Sequence, residues 1–149
     1  MTELIHRAND EHPFDFVTEK VCVKAWGKDT NGAYSLMRWS AGPLSIAPPH
    51  VHCRYEETFF VLSGHVSFLL GRDTVPLFAG DFVRVPPGVR HAYQNMTENS
   101  AEMLVGFIPG GMEELFYKFR GAAHEFDLQS FLADAREIHD TEYELGRRQ

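Results

Sequence analysis

Short apolar segments that alternate with turn signals fill most of this sequence and strongly limit the folds open to it. Residues 17–26 and 33–40 are rich in β-branched and aromatic side chains, and the polar segment between them contains the Asn31-Gly32 turn signal. Beyond Pro43, short apolar runs are divided by turn residues at positions 63–64, 71–73, 79–81 and 86–88. Strands at such short, regular spacing predict a β-sandwich or a β-barrel.

The character of the sequence changes near its end, where the apolar spacing becomes helical. From Gly111 onward, apolar residues recur every three or four positions, and Gly121 is placed to end a helix. A second helix is expected to begin at Asp127 as its N-cap and to fade into a charged tail. Its apolar face would carry Leu128, Phe131, Leu132 and Ala135. We therefore expect one domain over residues 1–149, with a barrel core at about 17–108 and a helical tail at about 111–146.

Composition limits the partners and the cellular setting of the chain. Its 149 residues carry a formal net charge of −7, and the basic residues form no stripe, so nucleic acid and anionic membrane surfaces are not expected partners. The apolar runs are strand-length, and the first residues do not have the pattern of a signal peptide. Only Cys22 and Cys53 are present, which does not fit a disulfide framework. We expect a cytoplasmic location.

The first stretch that carries chemistry is residues 48–64. His50 and His52 are two positions apart, so on a strand both imidazoles project to the same face and could bind one metal ion. A carboxylate could complete the site, and both Glu56 and Glu57 are available. In an unbroken strand Glu57 would lie on the face opposite His52. If Glu57 is the ligand, residues 53–56 must contain a bend, a bulge or a strand crossover.

The second stretch is residues 80–95, in which a strand meets a Pro86-Pro87-Gly88 turn and re-emerges with His91. Proline restricts its own φ, and glycine accepts conformations that other residues resist, so these residues predict a rigid corner directly before the histidine. Rigid placement is what a metal ligand requires. His91 is therefore a candidate third imidazole.

These two stretches resemble the two motifs of the cupin superfamily. His50, His52, Glu57 and Gly64 match the first motif, while the nearest leading glycine, Gly42, lies seven residues before His50 instead of five. The second motif is matched without a gap by Gly80, Pro86, Gly88, His91 and Asn95. The flanking residues 27–36 and 108–116 are similar to segments of single-domain, quercetin 2,3-dioxygenase-like cupins.

The resemblance implies an all-β fold, a cupin double-stranded β-helix (jelly-roll) barrel, here followed by two short C-terminal helices. It also implies one divalent transition metal, bound by His50, His52, Glu57 and His91. The six-residue spacing to Gly64 selects Glu57 over Glu56. This set of nitrogen and oxygen ligands suits Fe, Mn, Ni, Co, Cu or Zn and does not choose among them.

The resemblance further implies a dioxygenase-type oxidoreductase that acts on a small enol, phenol or flavonol-like substrate with dioxygen. Glu57 would then be both a ligand and the catalytic base. A metal-dependent isomerase, lyase or decarboxylase and a non-catalytic small-ligand-binding cupin remain alternatives. Strand parity with Glu57 and His91 predicts that Phe59 and Tyr93 line the substrate cavity, whereas Cys53 turns away. We expect a homodimer, as is common among such cupins.

Overall fold

The computed structural model describes residues 4–146, which contain two β-sheets and two α-helices. In chain order, the first seven strands are β1 Phe14–Val17, β2 Glu19–Ala25, β3 Ser35–Ala41, β4 His50–His52, β5 Glu56–Ser63, β6 His65–Leu70 and β7 Asp73–Phe78. The remaining elements are β8 Phe82–Val85, β9 His91–Gln94, β10 Ala101–Ile108, α1 Met112–Lys118, β11 Gly121–Ala122, α2 Leu128–His139 and β12 Thr141–Tyr143.

The strands form a two-sheet jelly-roll barrel, which confirms the predicted fold class. One sheet has seven strands in the order β11-β1-β2-β3-β10-β5-β8, and the other has five in the order β12-β4-β9-β6-β7. Neighbouring strands are antiparallel except for β1 and β11. Side chains from both sheets share one apolar core, in which Phe59 of β5 meets Phe68 of β6 edge to face at 5.0 Å.

Two strand crossovers between the sheets bring the predicted motifs together. The bend after His52 carries the chain from β4 in the five-stranded sheet to β5 in the seven-stranded sheet. The crossover expected within residues 53–56 is therefore confirmed. The Pro86-Pro87-Gly88 turn carries it back from β8 to β9, and Gly88 takes a positive φ of 84°. The Gly88 N–H donates to the carbonyl of His52 at 2.8 Å, so the turn of the second motif is hydrogen-bonded to the strand of the first motif.

The N-terminal strands differ in detail from the sequence prediction. The strand predicted over residues 17–26 corresponds to β2, Glu19–Ala25. A further strand, β1, comes before it and was not predicted; β1 ends at Val17, where the chain reverses with a positive φ of 57°. The loop after β2 is a short 3-10 helix, Gly27–Thr30, followed by Asn31 in the left-handed region. The Asn-Gly signal therefore marks the end of a helical turn and not a two-residue hairpin.

The tail contains both predicted helices and two short strands that were not predicted, β11 and β12. The α1 helix ends at Lys118, and Gly121, expected to end it, lies instead in β11 with a φ of 135°. At α2, the Asp127 side chain accepts from the Ser130 N–H at 3.1 Å, as expected for its N-cap. After α2 the chain does not fade into a tail, because β12 pairs with β4. Within residues 4–146 no helix is long and apolar enough to cross a membrane.

Candidate metal centre

Four side chains from three strands converge inside the barrel. His50 and His52 project from β4, Glu57 from the second position of β5, and His91 from the first position of β9. His50 and His91 are directly opposite in the register of β4 and β9. All four residues are buried, and one ligand atom from each lies within 4.8 Å of the other three. The structure thus brings together the four residues that the motifs single out.

The imidazoles all approach one carboxylate oxygen through the same ring atom. Glu57 Oε2 lies 2.6 Å from Nε2 of His91, 3.0 Å from Nε2 of His52 and 3.8 Å from Nε2 of His50. A single metal ion placed among these groups would therefore contact the Nε2 atom of each histidine and one carboxylate oxygen of Glu57. The three Nε2 atoms and the carboxylate oxygen thus surround one point, and His52 and His91 lie within hydrogen-bond distance of that oxygen.

Backbone carbonyls hold two of the rings by their other nitrogen. Nδ1 of His50 lies 2.8 Å from the carbonyl oxygen of Pro48, and Nδ1 of His91 lies 3.0 Å from that of Val89. A carbonyl oxygen only accepts, so each Nδ1 must carry the proton and donate it. Each Nε2 then has a free lone pair when the ring is neutral. The irregular Pro48-Pro49 segment before β4, where this sequence departs from the cupin spacing, thus helps to orient a candidate ligand.

The third ring is held by a residue from the far end of the chain. Nδ1 of His52 lies 2.8 Å from Oγ1 of Thr141, and that hydroxyl lies 3.0 Å from the carbonyl of His139. Because the Thr141 hydroxyl donates its own proton to the carbonyl, its oxygen accepts from the Nδ1–H of His52. Nε2 of His52 is therefore also free to bind a metal ion.

The chemistry of this cluster fits a divalent transition metal. Three imidazole lone pairs and a carboxylate oxygen aimed at one point repel each other unless a cation lies between them. Neutral imidazoles held through Nδ1 by a carbonyl or hydroxyl are the usual form of metal-binding histidine, and a set of three nitrogens and one oxygen is typical of transition-metal sites. The residues present therefore fit the metal that the motif implies.

The electrostatics of the four groups keep the carboxylate charged. Burial alone raises the pKa of the Glu57 carboxyl, but the contacts with the three imidazoles outweigh burial and hold its pKa well below the usual range. Burial lowers the pKa of His50 to about 4. Burial also acts to lower the pKa of His91, but the hydrogen bond and charge of Glu57 outweigh it and raise that pKa overall. At neutral pH the cluster thus contains an ionised carboxylate and a neutral His50.

Two neighbouring residues lie outside the cluster, as the sequence analysis expected. Glu56 points to the other side of β5 and forms an ion pair with Arg84 at 2.6 Å. Cys53 is exposed at the bend between β4 and β5. The crossover after His52 is what brings Glu57, rather than Glu56, to the face occupied by the histidines.

Sequence reasoning missed the contribution of β12. Thr141 holds His52, and the Tyr143 ring stacks on His50 with 4.8 Å between ring centroids and an interplanar angle of 23°. The alternation of residues 141–143 was the only available signal, and three residues are too few to predict a strand beside a charged tail. Their roles follow only from the pairing of β12 with β4.

An apolar cavity of about 180 Å³ opens beside the cluster. His50 and Glu57 form part of its wall, and so do Phe59 and Tyr93, the two residues that strand parity predicts there. Aromatic side chains of α1, α2 and β1 supply much of the remaining wall. A metal ion bound by the cluster would therefore face a mostly apolar cavity able to hold a small molecule.

Comparison with known proteins agrees with this architecture. The family model described as "Cupin domain" matches residues 37–107, which include all four residues of the cluster. The chain is 30% identical over 82 residues to an uncharacterized protein of Streptomyces coelicolor, a match that covers 55% of this chain and 74% of that protein. It is 36% identical over 101 residues to a quercetin 2,3-dioxygenase of Aspergillus japonicus.

The similar proteins differ in how much of their own length this chain covers. The match to the Aspergillus enzyme covers 61% of this chain but only 28% of that enzyme. Among solved structures, a predicted oxalate decarboxylase of Thermotoga maritima superposes with a TM-score of 0.67 at 19% identity, over 70% of this chain and 98% of that one. At this identity the structural likeness supports the fold and says nothing about the reaction.

Proposed function

The chain belongs to the cupin superfamily, and from that premise we propose that it is a metal-dependent, dioxygenase-type oxidoreductase of a small enol or phenol. The observation that carries the proposal is the buried cluster of three histidines and one glutamate, of which His50 and Glu57 line an apolar cavity. The similarity to a quercetin 2,3-dioxygenase supports the choice of reaction. The 180 Å³ cavity favours compact substrates over a full flavonol.

In this proposal His50, His52, Glu57 and His91 are the metal ligands. A divalent ion held there would act as a Lewis acid that favours the ionised form of a substrate hydroxyl and leaves room for a second small ligand. Proline and valine carbonyls and Thr141 keep the three imidazoles in the tautomer that binds metal. These contacts fix the ring directions before any metal arrives.

Glu57 is proposed to have a second role as the base. Its carboxylate lines the cavity and stays ionised at neutral pH, so it can accept the proton of a substrate hydroxyl that enters beside it. The wall around the carboxylate is mostly apolar, so few protein groups compete with the substrate hydroxyl for Glu57. The neighbouring Glu56 cannot substitute, because it faces the other side of the strand and pairs with Arg84.

The test is oxygen consumption by protein loaded separately with Fe, Mn, Ni, Co, Cu or Zn and supplied with a panel of small enols and phenols. The proposal expects dissolved oxygen to fall only when both metal and substrate are present, with Glu57→Gln inactive and Glu56→Gln active. Product formation under strict anaerobiosis would contradict it and favour a metal-dependent isomerase, lyase or decarboxylase. Substrate binding without any turnover would favour a ligand-binding cupin.

A further inference from the structure

A second group of polar side chains lies in the wall of the same cavity, apart from the metal ligands. Glu19 from the start of β2, Trp39 from β3 and Tyr93 from β9 all line the cavity and are all more than nine-tenths buried. None of the three belongs to the cupin motifs in the sequence. They form a polar patch in a wall that is otherwise largely aromatic, so their presence there needs a physical reason.

The three residues are joined by one shared donor. The Trp39 Nε1–H donates to the Tyr93 hydroxyl oxygen at 2.7 Å and to Glu19 Oε2 at 3.2 Å. The other carboxyl oxygen of Glu19 accepts from the Thr18 hydroxyl at 3.4 Å. Because the Tyr93 oxygen accepts from tryptophan, its own proton is available to Glu19 or to a bound ligand. The hydroxyls of Ser45 and Tyr93 also contact the Glu19 carboxyl, so a ligand hydroxyl at the patch would exchange hydrogen bonds with these groups.

The spacing along β9 and the size of the cavity both suit a small ring. Tyr93 is two residues beyond His91 on β9, so their side chains leave the same face of the strand about 7 Å apart. A cavity of roughly 150 Å³ is enough for one benzene ring, and this one has about 180 Å³. A single six-membered ring with oxygen at opposite ends can therefore reach the metal ligands with one oxygen and the polar patch with the other.

We propose that Glu19 and Tyr93 form a second binding point for the substrate. The substrate class this implies is a compact molecule, with one ring or an equivalent chain, that carries one oxygen for the metal and a second hydroxyl or carbonyl for the polar patch. The inference rests on the proposed function, because the first oxygen is assigned to the metal. If Glu19, Trp39 and Tyr93 served only to hold β2, β3 and β9 together, they would have no effect on which ligand the cavity prefers.

The test compares two ligands that differ only at the distant end, hydroquinone and 4-methylphenol. A hydroxyl and a methyl group are similar in size, so the pair isolates hydrogen bonding. Binding to zinc-loaded protein is measured by calorimetry under argon, because zinc has no redox chemistry. We expect hydroquinone to bind about tenfold or more tightly than 4-methylphenol, since its distant hydroxyl can form hydrogen bonds with Glu19 and Tyr93 that a methyl group cannot.

Variants identify which residues cause the preference. Tyr93→Phe and Glu19→Leu should each reduce the ratio of the two affinities toward one, while zinc content, measured by elemental analysis, stays unchanged. The matched control is Tyr117→Phe, which removes a hydroxyl from a tyrosine that is 40% exposed and lies outside this cavity wall. It should retain the wild-type ratio.

The outcomes distinguish a failure of the second binding point from a failure of the proposed metal-dependent function. A wild-type ratio near one, a ratio that survives in both variants, or no binding of either phenol would overturn the second binding point. Affinities that are the same with and without zinc, at an unchanged ratio, would instead contradict a metal-anchored substrate and leave the second binding point supported.

Discussion

Replacing Thr141 with valine should weaken metal binding although Thr141 is not a ligand. Valine has almost the same shape and suits a strand, so the change removes little more than the hydroxyl that accepts from Nδ1–H of His52 at 2.8 Å. Thr141 and His52 are at most 2% exposed, so water cannot replace the hydroxyl as the hydrogen-bond acceptor for His52. An unpaired buried donor costs about 1–3 kcal/mol, which corresponds to roughly a ten- to hundredfold loss of affinity.

The assay is a competition titration of metal-free protein with zinc and a chelator of known affinity, repeated with cobalt so that the absorption spectrum reports the coordination. Thr141→Ser keeps the hydroxyl and should restore most of the affinity. Thr74→Val is the matched control, since Thr74 is an exposed strand threonine on β7, at the sheet edge opposite β12. An unchanged zinc affinity in Thr141→Val would refute the reasoning that the C-terminal strand orients His52.

Three further predictions concern the ligands themselves. Elemental analysis should find close to one transition-metal ion per chain in the wild type and almost none in the His50→Ala, His52→Ala double variant; metal retained by that variant would rule out the site. Glu57→Gln should lower metal affinity, while Glu56→Gln should not, and the reverse result would transfer the role to Glu56. Because the pKa of His91 is raised overall, a proton competes with the metal there, so zinc affinity should fall by up to about tenfold per pH unit below that pKa. A flat pH profile would contradict this competition.

Much of the metal centre could be predicted because its signals are local. Two histidines on one strand share a face through the two-residue period of the backbone, and the same period requires a crossover before Glu57 can join them. The proline-rich corner before His91 is likewise a property of adjacent residues, and Gly88 does adopt the positive φ that such a corner favours. Alternating apolar segments were enough to predict a β-sandwich or β-barrel, although the short strand β1 before the first predicted strand was missed.

Other features of the site depend on residues that are far apart in the chain and carry no local signal. His52 and Thr141 are 89 positions apart, and Trp39 and Tyr93 are 54 apart. Residues 141–143 have the composition of a charged tail until pairing with β4 makes them a strand. Whether such groups meet depends on the packing of whole sheets, because side-chain hydrogen bonds between distant segments form only after the backbone has been placed.

The sequence by itself therefore determined which residues can bind the metal, since backbone periodicity and turn chemistry act over a few positions. Only the tertiary structure decided what orients and surrounds them: Thr141 behind His52, Tyr143 against His50, and the Glu19–Trp39–Tyr93 patch in the cavity wall. The physical reason is that ligand spacing is a property of the strand, whereas the partner of a buried polar group is whichever distant residue the folded barrel places within hydrogen-bond distance.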